Sequence, residues 1–103
     1  MIKSGGFRIS PEEVENLLIA SGAVHEACAL GVDDPDGVVG QVVLAVVSLR
    51  DGPPGDAVQA IRDHMVANAP AYMVPREIVV VSELPKTPSG KIDRPEIRRV
   101  HAA

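Results

Sequence analysis

The sequence predicts an α+β domain: a small sheet of about three main strands packed with helices, plus an N-terminal Gly-rich hairpin and a C-terminal lysine loop. Three observations lead there. Helical periodicity is confined to short, well-capped segments. Three runs are rich in β-branched residues. Clusters of Gly and Pro separate them. All 103 residues fit one domain, 1–103, because a chain of about 100 residues is an ordinary size for a unit with a single core.

Each element has a local reason. Residues 2–9 carry Ile2, Phe7 and Ile9 around Gly5-Gly6, which predicts a bent hairpin. Ser10-Pro11-Glu12-Glu13 is a helix start: a capping hydroxyl, a proline suited to the first helical position, and a glutamate that closes a capping box. Val14, Leu17 and Leu18 give that helix one apolar face, and Ser21-Gly22 ends it. Val24 to Val32 and Gln41 to Leu49 read as neighbouring strands joined by the acidic loop Asp33-Asp34-Pro35-Asp36-Gly37. Asp51-Gly52-Pro53-Pro54-Gly55 then breaks the chain before a second helix, Asp56 to Ala69, with Val58, Ile61, Met65 and Ala69 on one face. Glu77 to Leu84, built on Ile78-Val79-Val80-Val81, reads as a third, buried strand closed by Pro85. Asp93, with Glu96 three residues on, opens a last helix running to about Val100.

Composition narrows the function. Phe7 and Tyr72 are the only aromatic residues, so the core is aliphatic. A net charge of −4 argues against nucleic acid as the main partner, since neutralising phosphates requires a basic excess. Residues 83–103 nevertheless carry five basic side chains against three acidic ones, so an anionic ligand would favour that end. Cys28 is the sole cysteine, in the apolar setting Ala27-Cys28-Ala29-Leu30. That predicts a buried structural thiol, no internal disulfide and a reducing, cytoplasmic setting. No apolar run is long enough to cross a bilayer and the start lacks a signal-peptide core, so membrane insertion is not expected. The sequence offers no metal-binding spacing.

Two segments carry chemistry. Pro85-Lys86-Thr87-Pro88-Ser89-Gly90-Lys91-Ile92-Asp93-Arg94 surrounds two lysines with Pro, Gly and hydroxyl residues, and so presents Lys91 on a stretch of reduced conformational freedom. It is not a Walker A loop, because Ile92 follows Gly90-Lys91 and Pro85 stands where the first glycine belongs. Gly5-Gly6-Phe7-Arg8-Ile9, followed by Pro11-Glu12-Glu13-Val14-Glu15, is a glycine turn leading into a capped helix, without the G-x-G-x-x-G spacing of a dinucleotide loop.

Taken together, the two segments resemble the opening and closing motifs of the C-terminal domain of the adenylate-forming superfamily, which includes acyl-CoA and aryl-CoA synthetases, peptide-synthetase adenylation domains and luciferases. Gly6-Phe7-Arg8-Ile9 with Pro11 to Glu15 matches the first motif, Pro85 to Arg94 the last, and Val74-Pro75-Arg76 is also family-like. The resemblance implies an enzyme that joins a carboxylic acid to ATP, with Mg²⁺, and passes the acyl group to CoA. It implies that Lys91 is the adenylation lysine, with Ser89, Gly90 and Lys86 supporting its loop and the ATP. It implies that Gly5, Gly6, Phe7 and Arg8 serve the thioester-forming pose, Gly6 beside the pantetheine channel. Lys3, Lys86 and Arg94 are expected at the surface or a domain interface. The partner is the N-terminal adenylation domain of the same polypeptide, which holds most of the ATP site and the acyl pocket. The isolated domain is therefore expected to bind no cofactor and to be inactive. Two other readings stand beside this one: the C-terminal part of a peptide-synthetase adenylation domain that loads a carrier protein, and a non-catalytic α+β binding module.

Overall fold

The computed structural model describes residues 1–38, 40–50 and 55–102. The first elements are two short strands, β1 (Ile2–Ser4) and β2 (Phe7–Ile9), paired antiparallel with Ile2 opposite Ile9 and Ser4 opposite Phe7. Gly5 and Gly6 form the turn with φ of 54° and 86°, and left-handed backbone at both central positions is what a tight two-residue hairpin requires. Helix α1 (Pro11–Ala20) follows, with the Ser10 side chain accepting from the Glu13 N–H as the capping box predicts.

The main sheet has the order β3-β4-β5. Strands β3 (Val24–Asp33) and β4 (Gln41–Leu49) are antiparallel, with Gly31 opposite Val43 and Cys28 opposite Val46. The chain then forms α2 (Ala57–Asn68), flanked by Asp56 and Ala69 at its caps, and a single 3-10 turn, Ala71–Met73. Strand β5 (Glu77–Val80) returns parallel to β4, and α3 (Arg94–His101) closes the domain. The Asp51-Gly52-Pro53-Pro54 part of the expected chain break lies outside the described residues.

Side chains alternate along the strands, so the sheet buries both faces. One face carries Ala27, Ala29, Val43, Ala45 and Val47 and packs with Val14 and Leu18 of α1 and Ile61 and Met65 of α2. The other carries Cys28, Leu30, Leu44 and Val46 and packs with Leu84 and Ile97. Val14, Leu18, Ile61 and Met65 are fully buried, each contributing about 1.5–3 kcal/mol relative to exposure. Two strands buried on both faces explain why β3 and β4 read as long apolar runs rather than alternating ones.

The third strand corrects the sequence reading. β5 ends at Val80 rather than continuing to Leu84, and Ile78, Val79 and Val80 are half-buried rather than buried. It is an edge strand, paired on one side only, and although the Val81 N–H still donates to the Val47 carbonyl the chain then leaves the sheet. The last helix extends one residue beyond Val100, with Asp93 capping it by accepting from the Glu96 N–H at 3.1 Å.

Candidate active-site surfaces

The lysine loop is a small hairpin. The Thr87 N–H donates to the Lys91 carbonyl at 2.7 Å, the Gly90 N–H donates back to the Thr87 carbonyl at 2.9 Å, and Lys86 bridges Ile92 across the stem. Pro88 and Ser89 occupy the turn, and Gly90 takes φ of 87°, a conformation in which a Cβ would be strained. The Thr87 hydroxyl accepts from the Lys91 N–H at 3.3 Å and lies 2.9 Å from the Ser89 hydroxyl. Lys91 is thus the first residue after a turn whose hydrogen bonds are internal. Its side chain is exposed, and among the described residues no ion pair engages it.

Both legs of this hairpin are tied down. Lys86 pairs with Glu26 at the start of β3, 2.7 Å apart. On the other leg, Arg94 lies at the surface as expected, its side chain 43% exposed, with its guanidinium engaged within the domain. Its two terminal nitrogens meet both oxygens of Glu15 at 2.6 and 2.7 Å, a planar bidentate match that arginine makes and lysine does not. Glu15 is only 8% exposed and also accepts from the Ala29 N–H at 2.8 Å. Hydrogen bonding to Glu15 pushes the Arg94 guanidinium further above its ordinary range. Arg94 Nη1 also lies 3.6 Å from the Cys28 sulfur. Cys28 is the buried thiol expected, and burial pushes its pKa up to about 11 despite the guanidinium.

The glycine hairpin is anchored elsewhere. Ile2 and Ile9 bury into the face shared with α1 and α2, whereas Leu84, Ile92 and Ile97 beside the lysine loop pack on the opposite face. A Cβ on Gly31 would lie 3.1 Å from two Ile2 carbons and from Gln41 Oε1, so glycine is what allows β1 to approach β3 this closely. Gln41 in turn accepts from the Lys3 N–H at 3.0 Å. Gly5, Gly6, Phe7 and Arg8 are exposed, and a Cβ on Gly6 would meet nothing within 4 Å. Glu26 and Gly31, the two attachment points on β3, are five residues apart, roughly 16 Å of extended strand. The structure therefore groups Gly5 to Arg8 on one surface and Lys86 to Lys91 on another, and does not bring the two groups together.

Sequence reasoning took Glu15 only as a motif residue and Tyr72 only as one of two aromatic residues, and passed over Gly31. Glu15 carried a signal, being an acid beside Val14 on the buried stripe of α1. Tyr72 stacks on Phe7, and no local pattern relates residues 65 positions apart.

Comparison with known proteins identifies the family. The family model described as the AMP-binding enzyme C-terminal domain matches residues 13–91. The chain belongs to that family. Among curated relatives, the 4-hydroxybutyrate–CoA ligase 1 of Metallosphaera sedula is 44% identical over 96% of this chain and 18% of its own length. The AMB antimetabolite synthetase AmbB of Pseudomonas aeruginosa is 37% identical over 98% of this chain and 8% of its own length. Among solved structures, the anthranilate CoA ligase AuaEII in complex with anthranoyl-AMP superposes with a TM-score of 0.85 at 37% identity, covering 97% of this chain and 19% of that one. The chain thus spans less than a fifth of the length of each of these three proteins. Within it the family match runs from α1 to Lys91, so both anchoring residues of the lysine hairpin's first leg, Glu26 and Lys86, lie inside the matched stretch.

Proposed function

We propose that this domain is the mobile C-terminal lid of an acyl- or aryl-CoA ligase, and that it supplies Lys91 for acyl-adenylate formation and the Gly6 strand for thioester formation. The observation that carries the reading is the placement of the two motif hairpins on opposite faces of one sheet, attached at opposite ends of β3. A rigid body with two such surfaces offers one at a time to a single cleft, which suits a domain that turns between two half-reactions.

In the first half-reaction a carboxylate oxygen attacks the α-phosphorus of ATP, the bond to pyrophosphate breaks, and the acyl-adenylate forms. Lys91, a compact cation directly after a hydrogen-bonded turn, stabilises the negative charge shared between carboxylate and phosphate. Pre-ordering by Pro88, Gly90 and the Thr87 bonds lowers the entropy lost when it engages. In the second, a thiolate attacks the acyl carbonyl and AMP departs. There the absence of a side chain at Gly6 leaves room for a narrow pantetheine arm, and Arg8 meets phosphate or acidic groups. Mg²⁺ enters this scheme with ATP. Among the described residues no cluster of three acidic, His or Cys groups suits a metal, and its ligands are assigned to the partner domain.

The N-terminal adenylation domain of the same polypeptide is the proposed partner, with a carboxylic acid, ATP and CoA as substrates. The match to an antimetabolite synthetase of which this chain spans only 8%, and whose name does not mention CoA, is the observation behind a second reading, in which the acyl acceptor is a carrier-protein thiol. Among the described residues no helix is long and apolar enough to cross a membrane, and a cytoplasmic location is proposed. The test is acid-dependent ATP–pyrophosphate exchange by the full-length polypeptide, followed by acyl transfer to free CoA or to a carrier protein. No exchange with any acid refutes the ligase reading, and transfer to the carrier alone selects the second.

A further inference from the structure

We propose that Glu15 and Arg94 form a brace across the outer edge of β3 that positions Lys91, so that both are positioning residues for adenylation. The inference rests on the ligase reading above. Glu15 belongs to α1, on one face of the sheet, and Arg94 opens α3, on the other. The two are 79 positions apart in sequence and meet in a two-pronged ion pair.

The brace uses the edge itself. β3 is an outer strand, whose outward backbone groups need partners. Glu15 Oε2 takes the Ala29 N–H at 2.8 Å, and Arg98 Nη1 donates to the Gly31 carbonyl at 3.0 Å. Glu15 is thereby fixed by backbone before it meets Arg94, and has little freedom to follow a moving guanidinium. Arg94 stands three residues after Lys91. The Asp93 N–H between them donates to the Pro85 carbonyl at 2.8 Å, closing the base of the lysine hairpin. The brace therefore holds one leg of the stem, and the Lys86–Glu26 pair, half-exposed, holds the other. An ammonium that must meet two oxygens in a transition state gains from a fixed stem, because about 1 Å of misplacement costs on the order of a hundredfold in rate.

The glycine hairpin has anchors of its own outside the ion pair. Ile2 and Ile9 hold it to the first face and Gln41 ties Lys3 to β4. Loss of the brace should therefore fall on the lysine-dependent half-reaction.

The experiment compares Arg94→Ala, Arg94→Lys and Glu15→Gln with the unaltered full-length ligase and with Lys91→Ala, measuring pyrophosphate exchange and thioester formation from supplied acyl-adenylate. Arg94→Ala is expected to lower kcat for exchange by about 10²-fold, with KM for ATP and the thioester step within about threefold. Arg94→Lys keeps the charge but not the fork, and should recover part of the loss. Glu15→Gln retains the Ala29 contact and guards against a variant that fails to fold. It should reproduce the selective loss at an unchanged thermal midpoint and speed amide hydrogen exchange at Gly90 and Lys91. Equal losses in both half-reactions, or none in either, overturn the brace. If Lys91→Ala is selective and Arg94→Ala is not, the brace alone falls. If Lys91→Ala is itself not selective, the ligase reading falls and takes the brace with it.

Discussion

Phe7 and Tyr72 lie ring on ring, with centroids 4.1 Å apart and planes 1° from parallel, joining the glycine hairpin to the 3-10 turn before β5. They are the chain's two aromatic residues, and they sit on the surface, 52% and 36% exposed, beside a cleft of about 340 Å³ that Ser4, Gly5, Val42 and Arg76 help to line. A stacked pair is worth about 0.5–1.5 kcal/mol beyond its buried area. A double-mutant cycle with Phe7→Ala and Tyr72→Ala should return a coupling in that range by denaturant unfolding. A coupling near zero would show the stack to be incidental to the hairpin's position.

Cys28 makes stability fall with alkaline pH. Its thiol is raised from an ordinary value near 9.0 to about 11, chiefly by burial, so between those values the folded protein holds a proton that the unfolded chain has released. Below 9 both states are protonated and the thiol adds no slope. Above it stability declines, by up to about 2–3 kcal/mol by pH 11. Unfolding free energies measured across this window should fall less steeply for Cys28→Ala, and native Cys28 should resist alkylation at neutral pH. Rapid labelling of the folded protein would contradict the assignment.

Gly6 separates conformational need from space. Its φ of 86° disfavours any side chain, while the domain itself leaves the Cβ direction open. Gly6→Leu should therefore cost the domain only about 1–2 kcal/mol of stability, yet slow thioester formation at least tenfold and leave pyrophosphate exchange within a few-fold. The check is the ratio of the two half-reactions in the full-length enzyme. Loss of exchange as well would mean that the hairpin serves both steps.

Local chemistry was legible and long-range chemistry was not. Ser10, Pro11 and Glu13 located α1 correctly because capping is a matter of neighbours, and the valine-rich run placed β4 at its observed bounds, Gln41–Leu49. The run Ile78-Val79-Val80-Val81 misled as to length and burial because a strand's end depends on its partner. β5 has β4 on one side only, and a parallel pairing leaves no mark on local periodicity. Lys91 and Gly6 could be picked out through family motifs, whereas the ion pairs that hold Lys91's hairpin could not, since Glu15 with Arg94 and Glu26 with Lys86 are joined only by the fold. Even Arg94, visible as the last residue of a motif, gave no sign that its partner was an acid buried on α1.

The most direct test concerns Lys91 itself. Lys91→Ala in the full-length enzyme removes one exposed cation without touching the core, so the fold should be unchanged. Acid-dependent pyrophosphate exchange should fall by about 10²–10³-fold, the loss expected for one charge-stabilising contact, while thioester formation from supplied acyl-adenylate stays within about threefold. Equal loss of both activities, or retention of exchange, would contradict the account.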